Sequence, residues 1–284
     1  MIVRSSGCQS RAGQPSRRNE QGIALIAVLW ALTLLSVIAA SLSTETRSEA
    51  RIARNMADSA AARAAADAGI QRAILDLLDS RGGALLGAAK FRPDGTVYAW
   101  PFGNSTVYLS VHDELGKLNL NQAPEALLSS LFETVGIDQG GAAALAGAIA
   151  DFRDADKLQR LQGAEEAEYR AAGLAWGPKN APFQAVEELQ RVLGMTTEIY
   201  ERVAPFLTIY SIGNAVNAKV ADEQLTAALR RVGFNYFVES PGTAYSIRAE
   251  AKHASGAVFV RESVVQLIPE SVLPVRVLAW RQAR

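Results

Sequence analysis

The sequence predicts an α+β protein, with a long N-terminal helix that crosses a membrane and then packs on an antiparallel sheet. A large all-helical segment is inserted between the strands. Three observations predict this. Ile23 to Thr44 is 22 residues without a charged side chain, and a helix needs about 20 to cross the hydrocarbon core. Glu45 to Asp79 is rich in Ala, Arg, Glu and Leu and has no Pro, so the helix continues beyond the membrane. Short alternating segments lie near residues 96–111 and 245–268, and they bracket a stretch rich in Ala, Leu and Glu.

Each element follows in chain order. Residues 1–22 form a polar leader with Arg4, Arg11, Arg17 and Arg18 against one acid, Glu20. Arginines before a first span hold that end in the cytoplasm and send the rest outward. A secretory signal has a shorter apolar core with a small-residue cleavage site behind it; Ala39 and Ala40 keep that alternative open. Cys8 has no apolar stretch before it, which excludes a lipoprotein. The leader ends at Gly22, and the apolar helix starts at once with Ile23. This resembles a type IV prepilin leader, whose peptidase cuts after the glycine and leaves Ile23 as the mature end.

Ile23 to Ser80 as one helix is 58 residues, about 87 Å long at 1.5 Å per residue. Gly69 is its weak point, Ile70, Ile74, Leu77 and Leu78 share a face, and Arg81-Gly82-Gly83 stops it. Thr96–Trp100 and Ser105–Val111 read as strands joined by a turn at Pro101-Phe102-Gly103-Asn104. Tyr245–Ala251 and Ala257–Ile268 read as a second hairpin around Ser255-Gly256. Between the hairpins, about 113–231 reads as a long helical stretch with an internal echo. Asn119-Leu-Asn-Gln-Ala-Pro and Asn214-Ala-Val-Asn each precede a helix, and the Asn side chains can satisfy free backbone donors at its start.

Composition narrows the chemistry. Lys+Arg and Asp+Glu balance at 29 each, without the basic excess that nucleic acid attracts. One cysteine and two histidines, His112 and His253, are too few for a closed zinc site. No phosphate loop or nucleophile elbow is present, so the expectation is that the chain is not an enzyme. Asp151, Asp154 and Asp156 with Glu165, Glu166 and Glu168 are the densest carboxylates. Calcium takes such oxygens; the bland alternative is a solvated acidic face with helix caps. Asn119–Ala123 followed by Leu131–Asp138 also suggests a helix-hairpin-helix, as in membrane-anchored DNA receptors. There Asp138 stands where a phosphate-binding loop has glycine, and Gly141–Phe152 has no Lys or Arg.

Further segments carry a family resemblance. GKLNLNQAP (116–124), DFRDADKLQRLQGAEEAEY (151–169), NAPFQAVEELQRVLGMTTEIYERVAPFLTIYS (180–211), NAVNAKVADEQL (214–225) and VRVLAWR (275–281), behind the Gly22-Ile23 junction, resemble general secretion pathway protein K. This is a minor pseudopilin of type II secretion. The resemblance implies a pseudopilin fold with an inserted α-domain of two sterile-alpha-motif-like modules. It divides the chain into leader 1–22, membrane helix 23–44 and helix extension 45–80. A sheet domain follows at 81–112 and 232–284, and an insert at 113–231, with modules at about 113–210 and from 211 onward. Most pilins carry glutamate at the fifth mature position to neutralise a neighbour's terminal amine; here that position is Ala27, which fits a subunit with nothing above it. The resemblance further implies calcium in the insert, with Asp151, Asp154, Asp156 and Glu165 as candidates. Its partners would be the other minor pseudopilins in a tip complex, the major pseudopilin and the prepilin peptidase, with no nucleic acid. Its place would be the bacterial inner membrane, single pass, with the C-terminal part in the periplasm.

Overall fold

The computed structural model describes residues 18–79, 91–239, 242–268, 271 and 273–283; for residues 18–23, 42–46 and 234 it describes the backbone alone. Residues 1–17, with Cys8, and the expected helix stop at Arg81-Gly82-Gly83 lie outside the described residues. The chain divides into two compact units, residues 1–57 and 58–284.

The first helix is α1 (Arg18–Asp79). It includes five residues before the expected Ile23, and Arg18 to Gly22 contains no proline that would prevent this. Then come β1 (Tyr98–Phe102), β2 (Ser105–Asp113) and β3 (Leu118–Asn119), followed by α2 (Glu125–Thr134), α3 (Gln139–Arg153), α4 (Glu166–Ala171) and α5 (Thr197–Val203). The chain closes with β4 (Leu207–Thr208), β5 (Val216–Asn217), α6 (Glu223–Val232), β6 (Phe237–Val238), β7 (Ala244–His253), β8 (Val258–Leu267) and β9 (Val275–Gln282).

The main sheet has the order β1-β2-β7-β8-β9 and is antiparallel throughout. Its first hairpin is tighter than expected. Pro101 and Phe102 belong to β1, with Phe102 opposite Ser105, so the turn is only Gly103-Asn104, and Gly103 has φ +56°. Proline is tolerated there because β1 is an edge strand. The fifth strand, β9, was not visible as a strand in the sequence. The α1 stripe Ala65, Ala66, Ile70, Ala73, Ile74 and Leu77 buries against Val107, Leu109, Val111, Ile247, Ala249, Ala251, Val265 and Leu267, one face of a helix on one face of a pleated sheet. Arg261 fastens the contact. Its Nε donates to Asp67 Oδ1 at 2.6 Å, and its guanidinium lies 4.9 Å from the Phe259 ring and 5.3 Å from the Trp280 ring.

The segment between β2 and β7 has its own core, which includes Leu118, Leu127, Leu131, Phe132, Ile149, Phe152, Tyr169, Phe183, Leu225 and Leu229. It is less helical than expected, since 154–165 and 172–185 are mostly turns and coil. The echo has a structural form. β3 pairs in parallel with β4, and β5 pairs in parallel with β6. In each, an asparagine turns the chain before the helix: Asn119 Oδ1 accepts from the Asn121 N–H at 2.8 Å, and Asn217 Oδ1 from the Lys219 N–H at 3.0 Å. These asparagines do not cap the helices; Pro124 and Asp222 hold those positions, because the Asn side chains are already used two residues on. The Ser130 hydroxyl donates to Ala228 O at 2.8 Å and links α2 to α6.

Candidate functional site

Two places carry the expected chemistry. The first is the N-terminal helix. Gly22 and Ile23 lie within α1, and Ala27 is exposed on it. Ala24–Ser41 has a mean hydropathy of 2.3 and none of it is buried. By length and composition this segment can cross a membrane.

The second is the acidic cluster where α3 ends. Asp151 lies on the last turn of α3 and is fully buried, and Asp154 is the C-cap. Asp156 is exposed in the following loop, where its Oδ1 accepts from the Leu158 N–H at 2.8 Å. Glu165 is the buried N-cap of α4. The fold brings Asp151 and Asp154 together around a residue the sequence did not single out, Arg160, with Glu165 near enough to feel their charge. Its guanidinium reaches Glu125 Oε1 at 2.9 Å, Asp151 Oδ1 at 3.3 Å and Asp154 Oδ2 at 3.1 Å. Its backbone N–H also faces the Asp151 carboxylate. Gly163 permits this closure, for a Cβ there would meet Asp151 Oδ2 at 1.9 Å.

One guanidinium does not balance these acids. Burial, and then the neighbouring charge of Asp154, raise the Asp151 pKa despite the bonds from Arg160. Burial, then Asp151, Asp154, Asp156 and Glu168, raise that of Glu165. Asp154 Oδ1 and Glu165 Oε1 are buried without a hydrogen-bond partner. Glu165 also lines a cavity of 620 Å³ with Trp176 and Asn180, where Asn180 Oδ1 is likewise unpartnered and the backbone has φ +50°. These are hard oxygen donors with surplus negative charge, the donor set calcium takes. Among the described residues no three Asp, Glu, His or Cys side chains are grouped as a metal site. Arg160 and Asn180 could have been noticed only as polar residues flanking the acids; nothing in their spacing marks them.

The helix-hairpin-helix arrangement is present as α2, a turn at Gly136 (φ +92°) and α3. Asp138 fills the N-terminus of α3, accepting from the Gly141 N–H at 3.1 Å. Arg153, the only basic residue of α3, turns inward to Leu120 O and Ala123 O. A phosphate therefore meets a carboxylate there, not free donors and positive charge.

The description "Type II secretion system (T2SS), protein K" matches residues 110–211, the segment that holds the acidic cluster. The chain is similar to the type II secretion system protein K family, on this segment and on the relatives below. This is a minor pseudopilin family, a structural part of the secretion apparatus. "PilX N-terminal" matches residues 21–71, from the Gly22-Ile23 junction along α1. The chain is 28% identical over 211 residues to the protein K of Klebsiella pneumoniae, covering 66% of this chain and 62% of that one. It is 27% identical over 250 residues to that of Pseudomonas aeruginosa, covering 81% and 72%. The chain thus spans less than two thirds of the Klebsiella relative's length. In fold it is similar to a chain in the crystal structure of the GspK-GspI-GspJ complex of enterotoxigenic Escherichia coli. The TM-score is 0.60 at 16% identity, over 84% of this chain and 99% of that one.

Proposed function

We propose that this chain is the tip subunit of the periplasmic pseudopilus of type II secretion. In this role it starts assembly, limits fibre length and supports protein export across the outer membrane. Its anchor passes once through the inner membrane, N-terminus in the cytoplasm, and the prepilin peptidase cuts between Gly22 and Ile23. The other minor pseudopilins join it at the tip, and the major pseudopilin extends the fibre below. Ala27 carries the reading: a subunit within the stack offers a carboxylate to its neighbour's terminal amine, which is costly to bury unpaired, and Ala27 has none to offer. The fold shared with a chain of the GspK-GspI-GspJ complex supports the partners. Gold-labelling of a tagged chain on isolated pseudopili tests the position. Label at one end only is expected, and label repeated along the shaft rejects the tip role.

The same reading places calcium beside Arg160. Asp154 and Glu165 supply the unpartnered oxygens, with Asp151 and Asp156 alongside. Bound calcium would neutralise their surplus charge and join the end of α3 to the start of α4. A ligand that prefers the folded state raises the melting temperature. A higher midpoint in calcium than in chelator is expected, with a smaller effect of magnesium, which gives up its water reluctantly. Equal midpoints reject the site.

A further inference from the structure

Beyond the membrane segment, the first unit carries a charge pattern that neither anchoring nor tip assembly explains. Arg47, Arg51 and Arg54 are exposed on α1. At 3.6 residues per turn they fall within about 60° of one another around the helix. Glu49 lies on the opposite face, with Ile52 and Met56, which are 56% and 68% exposed. None of the three arginines makes an ion pair with a described residue.

We propose that Arg47, Arg51 and Arg54 form a docking stripe for the phosphates of anionic lipid headgroups in the leaflet where the helix leaves the membrane. The inference rests on the reading of Ala24–Ser41 as a membrane span. On that reading the arginines stand about 9, 15 and 20 Å beyond Ser41. The headgroup layer begins a few ångströms past Ser41 and is about 5–8 Å deep. Long helical side chains lean toward the N-terminus, here toward the lipid. Arg54 does so, donating from Nε to Ala50 O one turn back at 3.2 Å. Arg47 therefore meets the headgroups directly. Arg51 and Arg54 come within about a Debye length, 8 Å, of the charged surface. Arginines on the exit side of a span oppose the usual bias of positive charge toward the cytoplasm. A negative partner at that depth offsets the conflict, and lipid phosphate is the one that the continuity of stripe and span supplies. Guanidinium suits it, because its planar fork pairs with two phosphate oxygens.

The test uses the full chain in nanodiscs of phosphatidylcholine with a minority of phosphatidylglycerol. Lipids retained on gentle release are counted by native mass spectrometry. The wild-type chain is expected to retain phosphatidylglycerol at about twice its share in the disc or more. The triple variant R47Q/R51Q/R54Q should fall back to the disc ratio, and Glu49→Gln should keep the enrichment. A wild-type ratio equal to the disc overturns the proposal, as does a triple variant that retains as much. So does a triple variant with unchanged lipid that no longer co-purifies with a neighbouring pseudopilin, since the stripe then pairs with protein. Failure of the wild-type chain to float with lipid vesicles separates the two readings, for it rejects the anchor itself.

Discussion

Glu165 shows what one side chain does when the fold removes it from water without a full set of partners. Its pKa is raised above the ordinary 4.5, by burial first and then by Asp151, Asp154, Asp156 and Glu168. Between 4.5 and the raised value, the folded chain keeps a proton that the unfolded chain has released. Stability contributed by this group therefore falls as pH rises through that interval, and is unaffected below it. Glu165→Gln is neutral throughout. In chelator it should melt higher than wild type at pH 7, and the advantage should vanish in acid. Denaturant midpoints of both chains across pH read this difference. An advantage independent of pH would show that charge is not the cause. In calcium the order should reverse, because the ionised carboxylate then has a partner.

At the scale of elements, Gly69 changes meaning between sequence and structure. In the sequence it is a weak point of a helix, where alanine stabilises by about 1 kcal/mol. In the fold it is where α1 comes closest to the sheet: a Cβ there would lie 2.8 Å from both Leu109 Cδ2 and Val107 Cγ1, and 3.3 Å from Ala249 Cβ. All of these are buried and cannot retreat. Overpacking costs about 1–3 kcal/mol. Gly69→Ala should therefore lose about 1 kcal/mol despite the better propensity, and Gly69→Val about 3 kcal/mol, opening the helix–sheet contact. Thermal denaturation of the detergent-solubilised chain measures it. A stabilised Gly69→Ala variant would mean that the helix can move off the sheet without loss.

At the scale of the molecule, the sheet and the inserted segment have separate cores with no residue in common. The ends of the insert meet: Asp113 of β2 stands opposite Tyr245 of β7, and its Oδ2 accepts from the Gly242 N–H at 2.7 Å. Replacing residues 114–241 with a short turn therefore spans only a cross-strand distance, about 5 Å, and leaves the α1–sheet core whole. The shortened chain should still melt cooperatively. On the tip reading, removing the bulk of the head also relieves the block to further stacking. Pseudopili should grow longer when the major subunit is overproduced, as measured by electron microscopy. Unchanged lengths would reject the insert as the length limiter.

What the sequence determined by itself is what depends on local pattern: the uncharged run of the membrane segment, the helix that continues from it, the alternation of two hairpins and the turn-then-helix echo. Backbone periodicity and desolvation act on neighbouring residues, so they are legible along the chain. β9 was not, because its alternation is masked: Val277, Leu278 and Trp280 are all partly exposed at the sheet edge, and only pairing with β8 makes it a strand. The acidic cluster was half legible. The acids stand close together in sequence, but Glu125 and Arg160, 35 residues apart, meet only after α2 and α3 pack. Tertiary structure alone decided that an arginine sits among those acids and that Gly69 is a contact and not a flaw. Each is a matter of what lies across a gap of a few ångströms, which chain order does not encode.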